Sequence, residues 1–162
     1  MQIKTFKDFI GESAKDSDKH KAGVVLIYDN KILLVHPTNS SWKSRSCGIP
    51  KGFMQDGEDA IDSALRELRE ETGIKLKLEQ LQKVPYTVEI HGKKEVQVLT
   101  YFVCKIEDLA ELGLHSKKIP KDQLQLDEVD WAKFVDAEEA YKLITQAQLI
   151  ILDRHLTVSS NK

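Results

Sequence analysis

The sequence predicts a single α/β domain in which helices cover both faces of a mixed β-sheet, an α/β/α sandwich. Short β-branched and apolar runs recur along the chain and are separated by turn residues, as is typical of strands. One clear amphipathic helix interrupts these runs early, and a second helical pattern follows the last run. The length of 162 residues matches one domain and allows a core without metal or disulfide staples.

We expect the domain to occupy residues 21–156, between an N-terminal arm or linker (residues 1–20) and a C-terminal tail (residues 157–162). Apolar residues in 4–10 have helical spacing, so a short amphipathic turn is expected there. The stretch that follows, over 11–21, is polar and charged, which is typical of a linker.

The domain begins with a predicted hairpin. Residues 22–28 (AGVVLIY) and 31–36 (KILLVH) have the composition of buried strands, and Asp29-Asn30 suits the tight turn between them. A polar loop over 37–46 precedes the clearest helix of the chain, which spans Asp59 to Thr72 and is ended by Gly73.

The second half continues the sheet and closes with a helix. In chain order we expect a half-buried strand over 74–84, strands over 86–90 and 95–106, an irregular basic segment over 113–125 and a short strand over 129–135. Asp136 is the expected cap of a long helix that continues to about Val158.

Charge, hydropathy and cysteine content exclude several classes of protein. The net charge of −2 provides no global basic field that would recruit duplex DNA. No apolar stretch approaches the ~20 residues that span a bilayer, and the first residues lack the apolar run of a secretory signal. Cys47 and Cys104 cannot form a disulfide framework or a zinc site, so we expect reduced thiols in a cytoplasmic protein. The sequence contains no indication of an oligomeric state.

Acidic residues cluster on one side of the predicted helix. Glu67, Glu70 and Glu71 are spaced at i, i+3 and i+4, where like charges repel. Arg66 can neutralise part of this charge, and a divalent cation can neutralise the rest. Carboxylate oxygens are the ligands that Mg²⁺ and Mn²⁺ prefer, and these ions commonly also bind substrate phosphates.

A glycine-containing segment, Gly48 to Gly52, precedes the helix and contains Lys51. Glycine lets the backbone approach an ion or a phosphate closely, and the lysine can neutralise a phosphate. The combination indicates a metal–phosphate site. A bare cluster of glutamates is more typical of a solvated helix face than of a metal site, so the interpretation depends on the complete segment.

The complete segment, Gly52 to Ile74, resembles the Nudix box. The family pattern is a glycine, five residues of any type, a glutamate, seven of any type and an Arg-Glu pair. An aliphatic residue, one residue of any type, a Glu-Glu pair, one of any type, a second glycine and a final aliphatic residue follow. The matching positions here are Gly52, Glu58, Arg66, Glu67, Leu68, Glu70, Glu71, Gly73 and Ile74. The order of strands and the closing helix extend the resemblance to about residues 21–156.

The resemblance implies Mg²⁺-dependent hydrolysis of a nucleoside diphosphate linked to another group. It assigns metal binding to three glutamates and one carbonyl: Glu67, Glu70, Glu71 and that of Gly52. Arg66 is expected to orient a glutamate by ion pairing, and Glu58 to support the loop. Mn²⁺ is a possible substitute for Mg²⁺.

The general base is left open between two places. One is a box glutamate, Glu70 or Glu71, and the other is a loop residue before the last strand, Asp127 or Glu128. The acidic run in that loop also suits an ordinary charged turn.

The substrate is expected to be a small nucleotide, most simply a nucleoside or dinucleoside polyphosphate. Pro50-Lys51-Gly52 resembles the segment before the box in family members that cleave long phosphate chains, and Lys51 suits an additional phosphate. Trp42 either stacks on a base or anchors its own loop. An RNA 5′ end, ADP-ribose and NADH remain alternatives, and the basic stretch over 115–121 either contacts a polyphosphate or is a solvated loop.

Two further classes are weighed against hydrolysis. A nucleotide-sensing module that has lost catalysis usually lacks box glutamates, whereas all four are present in this chain. An isopentenyl diphosphate isomerase needs a catalytic cysteine and metal-binding histidines, but Cys47, His20, His36 and His91 form no obvious set.

Overall fold

A computed structural model describes residues 19–158 of the chain. Its six strands are β1 (His20–Tyr28), β2 (Lys31–Pro37), β3 (Lys51–Phe53), β4 (Tyr86–His91), β5 (Val96–Ile106) and β6 (Val129–Val135). Its α-helices are α1 (Ala60–Thr72), α2 (Ala137–Leu143) and α3 (Leu149–His155), and short 3₁₀ turns connect several of these elements. The predicted turn over residues 4–10 lies outside the described residues, and the division into arm, domain and tail stays a prediction.

The strands form one mixed sheet in the order β4-β5-β1-β2-β6, with β3 paired to β1. The β1–β5 pair is parallel, and the other pairs are antiparallel. The predicted β1–β2 hairpin is confirmed: Asp29 and Asn30 both adopt positive φ angles, 51° and 56°. Such a two-residue turn matches the twist of the strands it joins.

Helices cover both faces of the sheet, so the predicted α/β/α sandwich is confirmed. Successive strand residues point to opposite faces. On one face α1 contributes Ala64 and Leu68 to a core that includes Val24 of β1. On the other face α2 and α3 pack against a second core that includes Val25. Burial of apolar surface on two sides is what fixes the sheet between its helical layers.

The ends of α1 lie where the sequence predicts them. Asp59 is the N-cap residue, and Gly73 ends the helix with φ 74° and ψ 0°. This left-handed conformation favours glycine, because other residues carry a Cβ that crowds the backbone there. The Gly73 N–H donates to the Arg69 carbonyl, which closes the last turn.

The predicted strand over residues 74–84 is wrong. The segment is an irregular connection with a 3₁₀ turn at Leu78–Gln80, and Gln82 N–H donates its hydrogen bond to the Val103 carbonyl of β5. Ile74 and Leu81 are buried against the core beneath α1. Leu78 and Val84 are exposed, so the apolar alternation follows burial only in part of the segment, and the backbone makes no ladder with a neighbouring strand.

The predicted long helix from Asp136 is also wrong in extent. Asp136 does cap α2, since its side chain accepts from Glu139 N–H, but the helix stops at Leu143. Beyond it, Cys47 N–H donates to the Leu143 carbonyl, and Thr145 N–H donates to the Cys47 carbonyl. Pairing with the Cys47 strand-like segment thus replaces the helical hydrogen bonds, and the helix resumes only as α3.

β1 and β2 diverge beyond their turn, and the segment that contributes to the site lies between them. The two strands are in register only beside their turn, at Ile27–Ile32 and Tyr28–Lys31. Farther along they separate, and residues 47–53 fill the gap between them. Val35 exchanges two hydrogen bonds with Gly48, and Val24 N–H donates to the Pro50 carbonyl. The segment that contains Lys51 and Gly52 is therefore held by strands on both sides.

No helix within residues 19–158 is long and apolar enough to cross a bilayer. Both cysteines are buried and free, in keeping with the expected thiols. Burial raises the pKa of Cys47 to about 12 and that of Cys104 to about 11, so neither is poised as a thiolate nucleophile. A cytoplasmic location stays a prediction.

Candidate active site

Gly52 and Glu67 are in close contact across the junction of β3 and α1. A Cβ atom placed on Gly52 would overlap the Glu67 carboxylate, closer than any real Cβ contact. Glycine is therefore needed at this position because no space exists for a side chain. The backbone φ angle there does not itself require glycine. The contact brings a backbone segment and a half-buried carboxylate together on the face of the sheet that α1 covers.

Arg66 is the hub of the carboxylate cluster. Its Nε and Nη2 atoms donate to the two Glu58 oxygens at 2.7 and 3.1 Å, a bidentate pair that links the preceding loop to α1. Its Nη1 atom donates to Glu67 and Glu70, at 3.0 Å in each case. Its Nη2 atom also donates to the Phe53 carbonyl of β3. Arg66 thus fixes the positions of three glutamates and the end of β3 together.

The three helix glutamates occupy different environments. Glu70 is exposed, Glu67 is half-buried and Glu71 is buried. Burial raises the pKa of Glu71, and the charges of Glu67 and Glu128 add to the rise, whereas Lys51 acts in the opposite direction. Glu71 Oε1 also accepts a hydrogen bond of 3.3 Å from Lys51 N–H. A buried carboxylate beside other carboxylates favours an added cation, because a positive charge stabilises its ionised form.

The loop before β6 is tied to the end of α1. Gln125 N–H donates to the Glu71 carbonyl at 3.3 Å, and Gln123 Nε2 donates to the Thr72 carbonyl at 3.1 Å. These bonds bring exposed Glu128 near enough to raise the pKa of Glu71. The structure therefore groups the loop candidate for the base with the box glutamates.

Trp42 lies in an aromatic cluster at the end of β2. Its indole stacks on the His36 ring with a centroid distance of 3.7 Å and an interplanar angle of 4°, and its edge meets Trp131. Fully buried His36 pairs through Nδ1 with Asp130 Oδ1 at 2.7 Å, and its Nε2 has no partner among the described residues. Trp42 is 50% exposed. It is an anchored ring that nevertheless presents free aromatic surface.

The oxygen donors of the site fit a hard divalent cation, although the carboxylates do not converge on one point. Within residues 19–158 no three His, Cys, Asp or Glu side chains converge as a metal-binding group. Glu67 and Glu70 each pair with the Arg66 guanidinium. The fit rests on oxygen-only ligands, on buried Glu71 with its need for positive charge, and on the close approach that Gly52 permits.

Comparison of the sequence with models of protein families identifies the family of this chain: the NUDIX domain model matches residues 18–154. The chain belongs to the Nudix family. Both the family resemblance and the fold class predicted from the sequence are confirmed.

Individual known proteins are similar to the chain over different shares of its length. Nudix hydrolase 2 of Arabidopsis thaliana is 24% identical over 72% of this chain and 41% of its own length. An ADP-ribose pyrophosphatase of Methanocaldococcus jannaschii is 40% identical over 33% of this chain and 31% of its own length. A solved Ap4A hydrolase of C. elegans shares the fold, with a TM-score of 0.60 and 24% identity over 84% of this chain and 93% of that one. The chain spans 31% to 41% of the length of the curated relatives that it matches.

Sequence reasoning missed two residues near the site. Lys21, at the start of β1, lies beside Lys51 and Phe53, and buried His36 supports Trp42. The available signals were a lysine placed directly before an apolar strand and a histidine at the end of another. Neither signal identifies a partner, because both depend on which strands pair.

Proposed function

We propose that this Nudix chain hydrolyses a pyrophosphate bond in a nucleoside or dinucleoside polyphosphate, with Mg²⁺ as cofactor. The observation that carries the proposal is the junction of β3 and α1. There Gly52, Glu67 and buried Glu71 come together beside Lys51, with Arg66 fixing the carboxylates. The relatives named as hydrolases and as a pyrophosphatase support this reaction type.

Metal binding in the proposal uses the carboxylates of Glu67, Glu70 and Glu71 together with the Gly52 carbonyl. A bound Mg²⁺ would neutralise phosphate charge, stabilise the leaving phosphate and lower the pKa of a coordinated water. Mn²⁺ has the same ligand preference and would substitute for it. Arg66 keeps Glu67 and Glu70 oriented, and Glu58 keeps Arg66 in place from the other side.

The chain's own groups supply binding and proton transfer. Lys51 would bind a phosphate beside the reacting one, since its backbone already contacts Glu71. Glu71 is the preferred base because its carboxylate is buried at the junction of β3 and α1, where Oε1 accepts from Lys51 N–H beside the proposed phosphate site. Glu70 is the second box candidate. Glu128 approaches from the loop and remains the alternative, with Asp127 beside it in sequence.

Trp42 would bind the base of the nucleotide in this proposal. Stacking on His36 holds the ring in place while half of its surface stays free. Base–aromatic stacking contributes ~1–3 kcal/mol per base. Lys43 and Arg45 flank Trp42 and make no ion pair among the described residues, so the loop is cationic as well as aromatic. A solved relative that is named an Ap4A hydrolase agrees with a dinucleoside polyphosphate as substrate.

A hydrolysis screen tests the proposal. The purified chain would be assayed with Mg²⁺, Mn²⁺ or EDTA against nucleoside triphosphates, dinucleoside polyphosphates, ADP-ribose, NADH and 5′-triphosphate RNA. We expect metal-dependent cleavage of the polyphosphates and a loss of ~10²-fold or more in Glu71→Gln. Glu79→Gln, an exposed glutamate outside the site, is the matched control and should retain full activity.

The screen also separates the alternatives. Preferred cleavage of triphosphate RNA, ADP-ribose or NADH would replace the proposed substrate while retaining the reaction. Nucleotide binding without product formation in every metal would favour a sensing module. Wild-type turnover in Glu71→Gln would contradict the assignment of that residue.

A further inference from the structure

Lys21 and Lys51 emerge from the same face of the β1–β3 pair. The register opposes Lys21 to Phe53, Ala22 to Gly52 and Gly23 to Lys51. Directly opposed residues share a face, and residues two apart along a strand do so as well. Lys21, Gly23, Lys51 and Phe53 therefore lie together, on the side opposite to the Gly52 contact with α1.

Contacts confirm this arrangement. Lys21 Nζ lies 4.7 Å from the centroid of the Phe53 ring. A Cβ atom on Gly23 would lie 2.9 Å from Lys51 Cβ, so the Lys51 side chain passes directly over this glycine. The two lysine side chains are thus diagonal neighbours across the strand pair, with Phe53 as the wall beside Lys21.

Neither lysine of this pair forms an ion pair with a carboxylate of the described residues. In the part of the chain that the structure describes, neither Nζ has a carboxylate oxygen within 4.0 Å. Both side chains are half-buried, so water screens their repulsion incompletely. An anion with several charges would relieve the repulsion and supply the missing partner.

The lysine pair lies next to the carboxylate cluster. Glu71 Oε1 accepts from Lys51 N–H at the edge of β3. Lys21 is opposed to Phe53, whose carbonyl accepts a hydrogen bond from Arg66 Nη2, so the backbone at both lysine positions adjoins the cluster. A phosphate chain whose reacting unit lay at the glutamates would extend past the edge of β3 toward Lys51 and Lys21.

We propose that Lys21 and Lys51 form a two-lysine subsite that binds the unreacted phosphates of a linear oligophosphate chain. The inference rests on the proposed function and deepens it. With two phosphates in contact with lysines and one at the glutamates, the subsite selects substrates that have at least three consecutive phosphates. Lys21 is the residue that extends the requirement beyond a diphosphate.

Binding of inorganic tripolyphosphate and pyrophosphate to the metal-free chain, followed by titration calorimetry in EDTA, tests this subsite without turnover. Without a metal at the glutamates, pyrophosphate can contact both lysines as tripolyphosphate does. In Lys21→Gln we therefore expect tripolyphosphate and pyrophosphate each to bind about tenfold more weakly, which is ~1.4 kcal/mol. Lys21→Arg retains the charge and should stay within about threefold of wild type. Lys105→Gln removes an exposed lysine of β5 and should change neither affinity.

Kinetics with a long-chain nucleotide give a second measurement. Lys21→Gln should raise KM about tenfold and leave kcat within about twofold, because the lost contact is made equally in the ground state and the transition state. Unchanged tripolyphosphate affinity in Lys21→Gln, or an equal loss in Lys105→Gln, would overturn the inference. If wild type hydrolyses no nucleotide yet binds tripolyphosphate through Lys21, the proposed function fails and the subsite stands. Thermal unfolding of each variant checks that the fold is retained.

Discussion

Replacing Arg66 by methionine should destabilise the chain because it removes the hub of the carboxylate cluster. Arg66 donates five hydrogen bonds, two of them to Glu58, whose side chain is 14% exposed. The Glu70 pair is 41% exposed on the glutamate side and contributes at most ~0.5 kcal/mol. Loss of the better buried contacts with Glu58 and Glu67 leaves these carboxylates without a counter-charge. Removing one partner of a fully buried ion pair lowers the free energy of unfolding by ~3–5 kcal/mol.

Because water still reaches the cluster, we expect a loss of ~2–4 kcal/mol in the free energy of unfolding at pH 7. For a chain of this size that corresponds to a fall in Tm of about 5–15 °C. Urea and thermal unfolding followed by circular dichroism measure both quantities. Arg69→Met is the matched control, since Arg69 is exposed on the same helix and should cost less than about 0.5 kcal/mol.

The pH dependence gives this prediction a sign. The hydrogen bond from Arg66 is the main reason that the pKa of Glu58 lies below its ordinary value of 4.5. A depressed pKa stabilises the fold above that value, and the contribution is lost as the pH falls through the folded-state pKa. The difference in unfolding free energy between wild type and Arg66→Met should therefore persist above the ordinary pKa of 4.5 and narrow as the pH falls below it. A difference of the same size above and below that pKa, or equal melting of Arg66→Met and wild type at pH 7, would refute the reasoning.

Three further substitutions probe the site. Gly52→Ala should lower kcat at least tenfold, with Tm falling by only a few degrees, because the new Cβ displaces the Glu67 carboxylate; an active Gly52→Ala enzyme would contradict the close contact. Trp42→Ala should raise KM about tenfold at unchanged kcat if the ring stacks on a base, and titration of wild-type tryptophan fluorescence with nucleotide gives independent evidence. Glu128→Gln should cost less than about tenfold in kcat if Glu71 is the base, whereas a loss above a hundredfold together with the acidic limb of the pH profile would assign the base to the loop.

Local signals in the sequence predict much of this fold. The positive-φ turn at Asp29-Asn30 and the left-handed Gly73 are each specified by a few neighbouring residues, so hairpin and helix boundaries follow from the sequence. The split between β1 and β2 and the end of α2 at Leu143 depend instead on hydrogen bonds with Cys47 and its neighbours, about a hundred residues away in the second case. Propensity and periodicity contain no information on such pairings.

The same distinction applies to the candidate site. Spacing along one helix is enough to group Glu67, Glu70 and Glu71, and it also predicts that Arg66 reaches Glu70. Spacing does not reveal that Glu71 is buried while Glu70 is exposed, since burial depends on the loop before β6. Lys21 was missed for the related reason that its proximity to Lys51 arises from the β1–β3 register.

The loop that contains Trp42 is pinned at both ends. Val35 and Gly48 exchange hydrogen bonds of 2.8 and 3.1 Å at its base. Thr38 bonds through N–H and Oγ1 to the Glu128 and Leu126 carbonyls on the opposite side. Residues 39–46 can consequently change in length or composition while the anchors keep Lys51 and Gly52 in register. If Trp42 binds the base as proposed, exchanging residues 39–46 between homologues should transfer base preference while the segment around Gly52 keeps its position.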